Sequence, residues 1–465
     1  MMSEYRNDLL GVRWLMTTLI ALALAPVVLA FVVASFRDPI RVALPAYAVL
    51  VPFGSGLSIG LPGPFGSLSS LLGVLLALAL LAQHLTVRRG TARIPATVPV
   101  WLAFLGLAGA SVFWSVAPGT TAYSFAVLAS LVLLYVLLAL ARINRKALKR
   151  VEDAVLIGGL AAACYGITQL LFLGGLPSTE GGSARFGSNL LDPNNQAAAL
   201  LLPLAIAMAR IAVRSGRGRL AHVITVVILL TGILLTGSRG GLIAAVVVLA
   251  AVVLYSGHGR GTLIGFGAAA ATLVAAVLLL NPAGLGERQV TQESSSGRAE
   301  VWEVGLSACP TYCLTGSGWG TFPVVYKMEQ PSVPEARVLG KVARQPHNIA
   351  MLAGVEAGVL GLLLVVVGLG LTMSHALHLP AALRAAPMAA LLGTFVSSFF
   401  LSNLEFKFFW LVLAYIALCQ NCATSDGASV AEKKPSQRGA RGPSLLPFRR
   451  FVDVVANDSG RNQPD

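Results

Sequence analysis

The chain has 465 residues, of which 56% are hydrophobic and only 12% charged. Soluble domains carry about 25% charged residues, so a soluble globular class is excluded and an all-α polytopic membrane protein is expected. The formal charge of +14 does not point to nucleic acid. The basic residues are scattered through short loops, as the positive-inside rule expects, and no basic stripe is interleaved with aromatics.

The first apolar run, Trp14 to Ala34, is too long for the core of a cleavable signal peptide and has no clear cleavage pattern. Counting this run (14–34), stretches able to cross roughly 30 Å of hydrocarbon fall near 40–59, 67–85, 97–115, 121–141, 153–173, 195–213, 220–236, 240–256, 262–280, 347–373, 388–402 and 406–421. The pattern predicts a transmembrane helix bundle of about twelve or thirteen spans. Twelve is favoured, with the Pro26-containing run or its neighbour re-entrant. The expected organisation is an N-terminal segment (1–13), helices with short loops (14–280), one sizeable outer loop carrying short helices (281–346), C-terminal helices (347–421) and a basic, disordered cytoplasmic tail (422–465).

Basic clusters set the orientation. Arg88, Arg89 and Arg93 lie in one loop, Arg142, Arg145, Lys146, Lys149 and Arg150 in a second, and Arg210, Arg214, Arg217 and Arg219 in a third. An even number of spans separates them, so all three fall on the cytoplasmic side. The alternate loops, 60–66, 116–120, 174–194, 237–239, 281–346 and 403–405, then face outward. Arg185, Arg239 and His347 therefore share the outer side.

TGSRGG (236–241) joins two spans with almost no loop. Gly237, Ser238 and Gly240 around Arg239 allow a sharp turn and close approach of a ligand. Arg239 offers a bidentate fork to phosphate; the alternative is an arginine snorkelling to headgroups. In RFGSNLLDPNNQ (185–196), Asp192 before Pro193 makes a helix entry, with Asn194 or Asn195 also able to cap, so Asp192 reads as a cap and not a catalyst. Arg185 lies outside that cap, and is either a ligand-facing or a solvated loop arginine.

The outer loop contains SSSGRAEVWEVGLSA (294–308), an amphipathic helix to be capped by Ser295 or Ser296, with Val301, Trp302, Val304 and Leu306 on its apolar side. Arg298 on it either closes over a substrate or is a solvated helix charge. Cys309 and Cys313 form a disulfide or a pair of free thiols. Cys164 and Cys419 read as packing residues. The stretch GSGWGTF (316–322) leaves no room for regular structure.

RQPHN (344–348) places His347 and Asn348 at a helix mouth, where an imidazole could act as general base or be a hydrogen-bonded interfacial residue. Glu356, about two turns further in, is a buried carboxylate able to pair with an arginine or orient the histidine. Glu405 and Lys407 in SNLEFKFF (402–409) read as a structural ion pair. There is no outer Asp-x-Asp pair, no zinc spacing, no phosphate-binding P-loop and no nucleophilic-serine elbow. Two outward arginines beside a histidine fit an enzyme acting on a lipid-linked phosphate, using neither metal nor cofactor.

In the order RFGSNLLDPNNQ, TGSRGG, GSGWGTF and HN, over about residues 160 to 420, the chain resembles the O-antigen ligase and polymerase superfamily, bacterial inner-membrane glycosyltransferases of the broad GT-C type. The resemblance implies an undecaprenyl-diphosphate-linked glycan donor at a site facing the periplasm. It implies diphosphate binding by Arg185 and Arg239; Arg298, Asn348, Gly237, Ser238, Gly240 and Glu356 are the further candidates, read from the residues themselves, for lining the site. It also implies that His347 activates the acceptor hydroxyl, on lipid A core in a ligase or on a second lipid-linked glycan in a polymerase. The competing class is a lipid-linked glycan transporter or flippase with an anion site. It would show internal repeats and midplane charges, and neither is evident.

Overall fold

The computed structural model describes residues 23–54, 57–58, 66–86, 94–173, 192–257, 297–339 and 343–432, with isolated positions 259, 261, 264–265 and 267. Arg185, the expected caps Ser295 and Ser296, most of the 262–280 run and the tail beyond Glu432 lie outside the described residues. The first compact unit is Met1–Ser425; the second, Asp426–Asp465, is helical as far as Glu432.

The described chain is all-α, with one isolated bridge between Ser58 and Ser67. In chain order the helices are α1 Ala23–Arg37, α2 Ala43–Leu50, α3 Leu68–Thr86, α4 Thr97–Ala110, α5 Pro118–Ala139, α6 Arg145–Leu173, α7 Pro193–Ala199, α8 Leu201–Val213, α9 Gly216–Leu235, α10 Arg239–Tyr255, α11 Arg298–Tyr312, α12 Phe322–Glu329, α13 Ile349–Leu377, α14 Ala381–Ser398 and α15 Lys407–Glu432. Eight of the described stretches are long and apolar enough to cross a membrane, with α7 and α8 counting as one, and four more are shorter apolar helices. α15 runs past the expected boundary at 421 because the Ala- and Ser-rich stretch after Cys422 continues the helix without a breaking Gly-Pro pair.

Side-chain contacts sort the helix ends into two sets. At one end Arg210 of α8 pairs with Glu152 at 2.7 Å and with Asp153 of α6, and Glu152 accepts from the Tyr415 hydroxyl of α15 at 2.9 Å. Asn421 donates to Ala139 O and Ala141 O at 2.9 and 2.8 Å. This end carries the basic loops around 142–150 and 210–219. At the other end the Lys407 ammonium donates to the hydroxyls of Ser67, Ser69 and Ser70 at 3.0, 2.8 and 2.8 Å. An ammonium has three donors and all three are used here. The expected Glu405–Lys407 ion pair is therefore replaced by a lysine–serine tie between α15 and α3.

That second end holds the 281–346 segment's described part. Trp319 N donates to Ser111 Oγ, and Val116 N to Ser317 O, each at 3.0 Å. α11 buries Val301, Val304, Gly305 and Ala308. These positions lie at i, i+3, i+4 and i+7, one helical face. Leu306 points away and is 62% exposed, against expectation, because it falls on the opposite side of the turn. Cys309 and Cys313, one turn apart at 4.5 Å between Cα atoms, are bonded as a disulfide.

α13 is broken at Gly358, whose φ of 71° and ψ of −173° are not helical. The break frees backbone groups that the glycine-rich loop takes up. Ser317 N donates to Val355 O at 2.8 Å, Gly318 N to Glu356 O at 3.0 Å, and Val359 N to Cys313 O at 2.8 Å. Buried backbone polar groups require such partners, so the loop is stitched into the helix rather than laid over it.

Candidate functional site

Each residue of TGSRGG has a local job. Thr236 Oγ1 accepts from Ser238 N at 3.2 Å. Gly237, at φ 63°, makes the turn. Ser238 caps α10, its Oγ accepting from Gly241 N at 3.1 Å. Gly240 and Gly241 permit close packing: a Cβ on Gly240 would meet the Phe400 ring at 2.8 Å, and one on Gly241 would meet the Ala197 methyl at 2.5 Å. Arg239 is exposed as the first residue of α10, where the helix macrodipole favours an anion.

Two further helices begin close by. Arg298 opens α11, and the cap is Gly297 at φ 68° rather than a serine, since a left-handed residue is what the turn requires there. The Arg298 guanidinium lies 5.9 Å from the centroid of the Phe400 ring. Asn348 caps α13, its Oδ1 accepting from Ala350 N and Met351 N at 2.9 and 3.0 Å, while its Nδ2 donates to Phe399 O at 3.4 Å. Trp302 Nε1 donates to Pro346 O at 2.9 Å, which ties α11 to the residue before His347. His347 itself sits at φ 46°, the one non-glycine with positive φ among the described residues. That conformation costs on the order of 1–2 kcal/mol and tends to persist where a site demands it.

The turn at Phe399–Phe400 thus contacts the α10 mouth, α11 and the α13 cap. It joins Gly240, Arg298 and Asn348, with Arg239 and His347 their immediate chain neighbours. Asp192 caps α7 as expected, accepting from Asn194 N and Asn195 N at 2.9 and 3.4 Å, and α7 reaches the same place through Ala197 and Gly241. Helix N-termini therefore cluster at this end, and with them the positive ends of their macrodipoles.

Glu356 does something other than expected. It is fully buried, and its two oxygens accept from Gly320 N at 2.7 Å and Phe322 N at 2.9 Å. It therefore anchors the GSGWGTF loop and the start of α12, and does not pair with an arginine or the histidine. The break at Gly358 lies two residues further on, and the loop fills the space beside it. Glu405 lies in the electrostatic reach of Glu356, and burial pushes its carboxyl up to about 7. Sequence reasoning missed Phe400 and the Gly358 break. The paired phenylalanines read as apolar membrane residues, and a single glycine in an apolar run gives no sign of its φ.

No curated protein matches the chain. Residues 224–366 match the family model for O-antigen ligase, a segment that runs from α9 through Arg239, Arg298 and His347 into α13, and this match supports the chain's similarity to the O-antigen ligase and polymerase superfamily.

Proposed function

We propose that the protein is an inverting membrane glycosyltransferase that moves a glycan from undecaprenyl diphosphate to a hydroxyl acceptor, lipid A core in the favoured reading. The observation that carries this is the meeting of the Arg239, Arg298 and His347 segments, all three inside the matched stretch, around the Phe399–Phe400 turn that follows it in the chain. The acceptor oxygen attacks the anomeric carbon, and its proton passes to the His347 imidazole. The bond from that carbon to the diphosphate oxygen breaks with its electron pair, and the growing negative charge is met by Arg239, with Arg185 expected to join it, and by the helix N-termini. Charge complementarity of this kind acts most strongly in the transition state. Arg298, Asn348 and the backbone of Gly237, Ser238 and Gly240 line the donor seat.

The site faces the periplasm in this account. The basic loops lie at the opposite end of the bundle, where the positive-inside rule puts the cytoplasm. The Cys309–Cys313 bond belongs to the site end, and disulfides persist in oxidising compartments. The test is reconstitution in proteoliposomes with a labelled undecaprenyl-diphosphate glycan. His347→Ala should retain donor and lose transfer; a variant with wild-type turnover would remove the base assignment. Product mass separates one glycan on lipid A core from a lengthening lipid-linked chain, the polymerase outcome.

A further inference from the structure

Phe400 lies in the turn between α14 and α15, and the turn is unusually well braced. Phe400 N donates to Ser397 O at 3.0 Å. The Asn403 amide, fully buried, donates to the Ser397 and Ser398 hydroxyls at 3.0 and 2.8 Å, and Trp410 Nε1 donates to Leu404 O at 2.8 Å. A buried polar network of this kind fixes geometry. What it fixes here is a half-buried ring that meets two features of the candidate site. One is the bare backbone of Gly240, beside Arg239; the other is the Arg298 guanidinium at 5.9 Å. Gly240 has no side chain to lose, so the ring can approach α10 to a distance that any other residue at 240 would forbid. A guanidinium within about 6 Å of a ring centroid is held by the ring quadrupole.

We propose that Phe400 is a positioning residue of the donor site: it seats Arg298 at a set distance from the mouth of α10, so that Arg298 and Arg239 bracket one diphosphate. This rests on the glycosyltransferase reading above. Phe400 touches neither donor nor acceptor and acts through Arg298. A purely packing role would ask only for an apolar side chain of the right volume. The proposed role asks in addition for the electron-rich face of the ring.

The experiment is a titration of undecaprenyl diphosphate into the full-length protein in detergent. Pentafluorophenylalanine at position 400 keeps the ring's shape closely while removing its attraction for a cation. It should weaken binding about two- to twentyfold, whereas 4-methylphenylalanine at position 400, which keeps the six-membered ring and its electron-rich face, should bind like wild type. In an Arg298→Gln background the fluorinated ring should have no further effect, because coupled residues are not additive. Wild-type affinity with the fluorinated ring, or an undiminished effect in the Arg298→Gln background, overturns the proposal and leaves the glycosyltransferase reading intact. Wild-type protein that binds no diphosphate defeats that reading and the proposal together.

Discussion

Gly358→Ala probes the joint between α13 and the glycine-rich loop stitched into it. At φ 71° and ψ −173° the backbone occupies a region that is essentially glycine-only, at a cost to other residues of about 1–3 kcal/mol. The added methyl would meet Leu314 O at 2.6 Å, Gly316 N at 2.8 Å and Thr315 C at 2.8 Å. All three are backbone atoms, so no side chain can swing aside. Relief requires moving the loop, and with it the bonds from Ser317 N, Gly318 N and Val359 N. Each such bond is worth about 1 kcal/mol net, more if a buried group is left unpaired. The expected loss is about 3 kcal/mol or more, read as a lower thermal midpoint in detergent and faster proteolysis between α11 and α12. Gly354→Ala is the control: it lies in the same helix, nothing stands within 4 Å of its Cβ, and it should be neutral or stabilising by up to about 1 kcal/mol. Equal midpoints for the two variants would refute the stitched-loop account.

Other consequences are open to measurement. Arg239→Lys keeps the charge but loses the planar fork, and one lost charge-assisted bond of about 1.5–3 kcal/mol should lower kcat/KM about ten- to hundredfold; unchanged transfer kinetics would count against a bidentate role. Glu405 has an ordinary value of 4.5 and is pushed up to about 7 by burial, so the folded state holds a proton that the unfolded chain releases within that window. Stability should therefore fall as pH rises from about 4.5 to 7. Glu405→Gln should flatten that fall in thermal midpoint, and parallel pH profiles for the two proteins would contradict it.

Much of the fold is legible in the residues because hydrocarbon imposes a simple rule: each crossing needs a long apolar run, and basic loops choose a side. That rule separated the two ends of the bundle, and the contacts of Arg210, Asn421 and Lys407 respect the separation. Local caps were legible where one side chain does the work, as at Asp192. Arg239 stands out because glycines flank it in TGSRGG. Glu356 could be read as buried, but not as a loop anchor, since that depends on backbone amides thirty-odd residues away in sequence. Lys407 reads as the partner of a neighbouring carboxylate, whereas folding delivers Ser67 and two serines of α3. Such partners are chosen by packing between distant segments, and neither periodicity nor spacing records that choice.

The proposed cationic seat for a diphosphate lies at the loop end of the bundle. Its most direct test compares undecaprenyl diphosphate with undecaprenyl monophosphate as ligands of the purified protein, in wild type and in Arg239→Gln. The account predicts tighter binding of the diphosphate by wild type, with the preference reduced in the variant. Equal affinity for both lipids, untouched by the substitution, would contradict it.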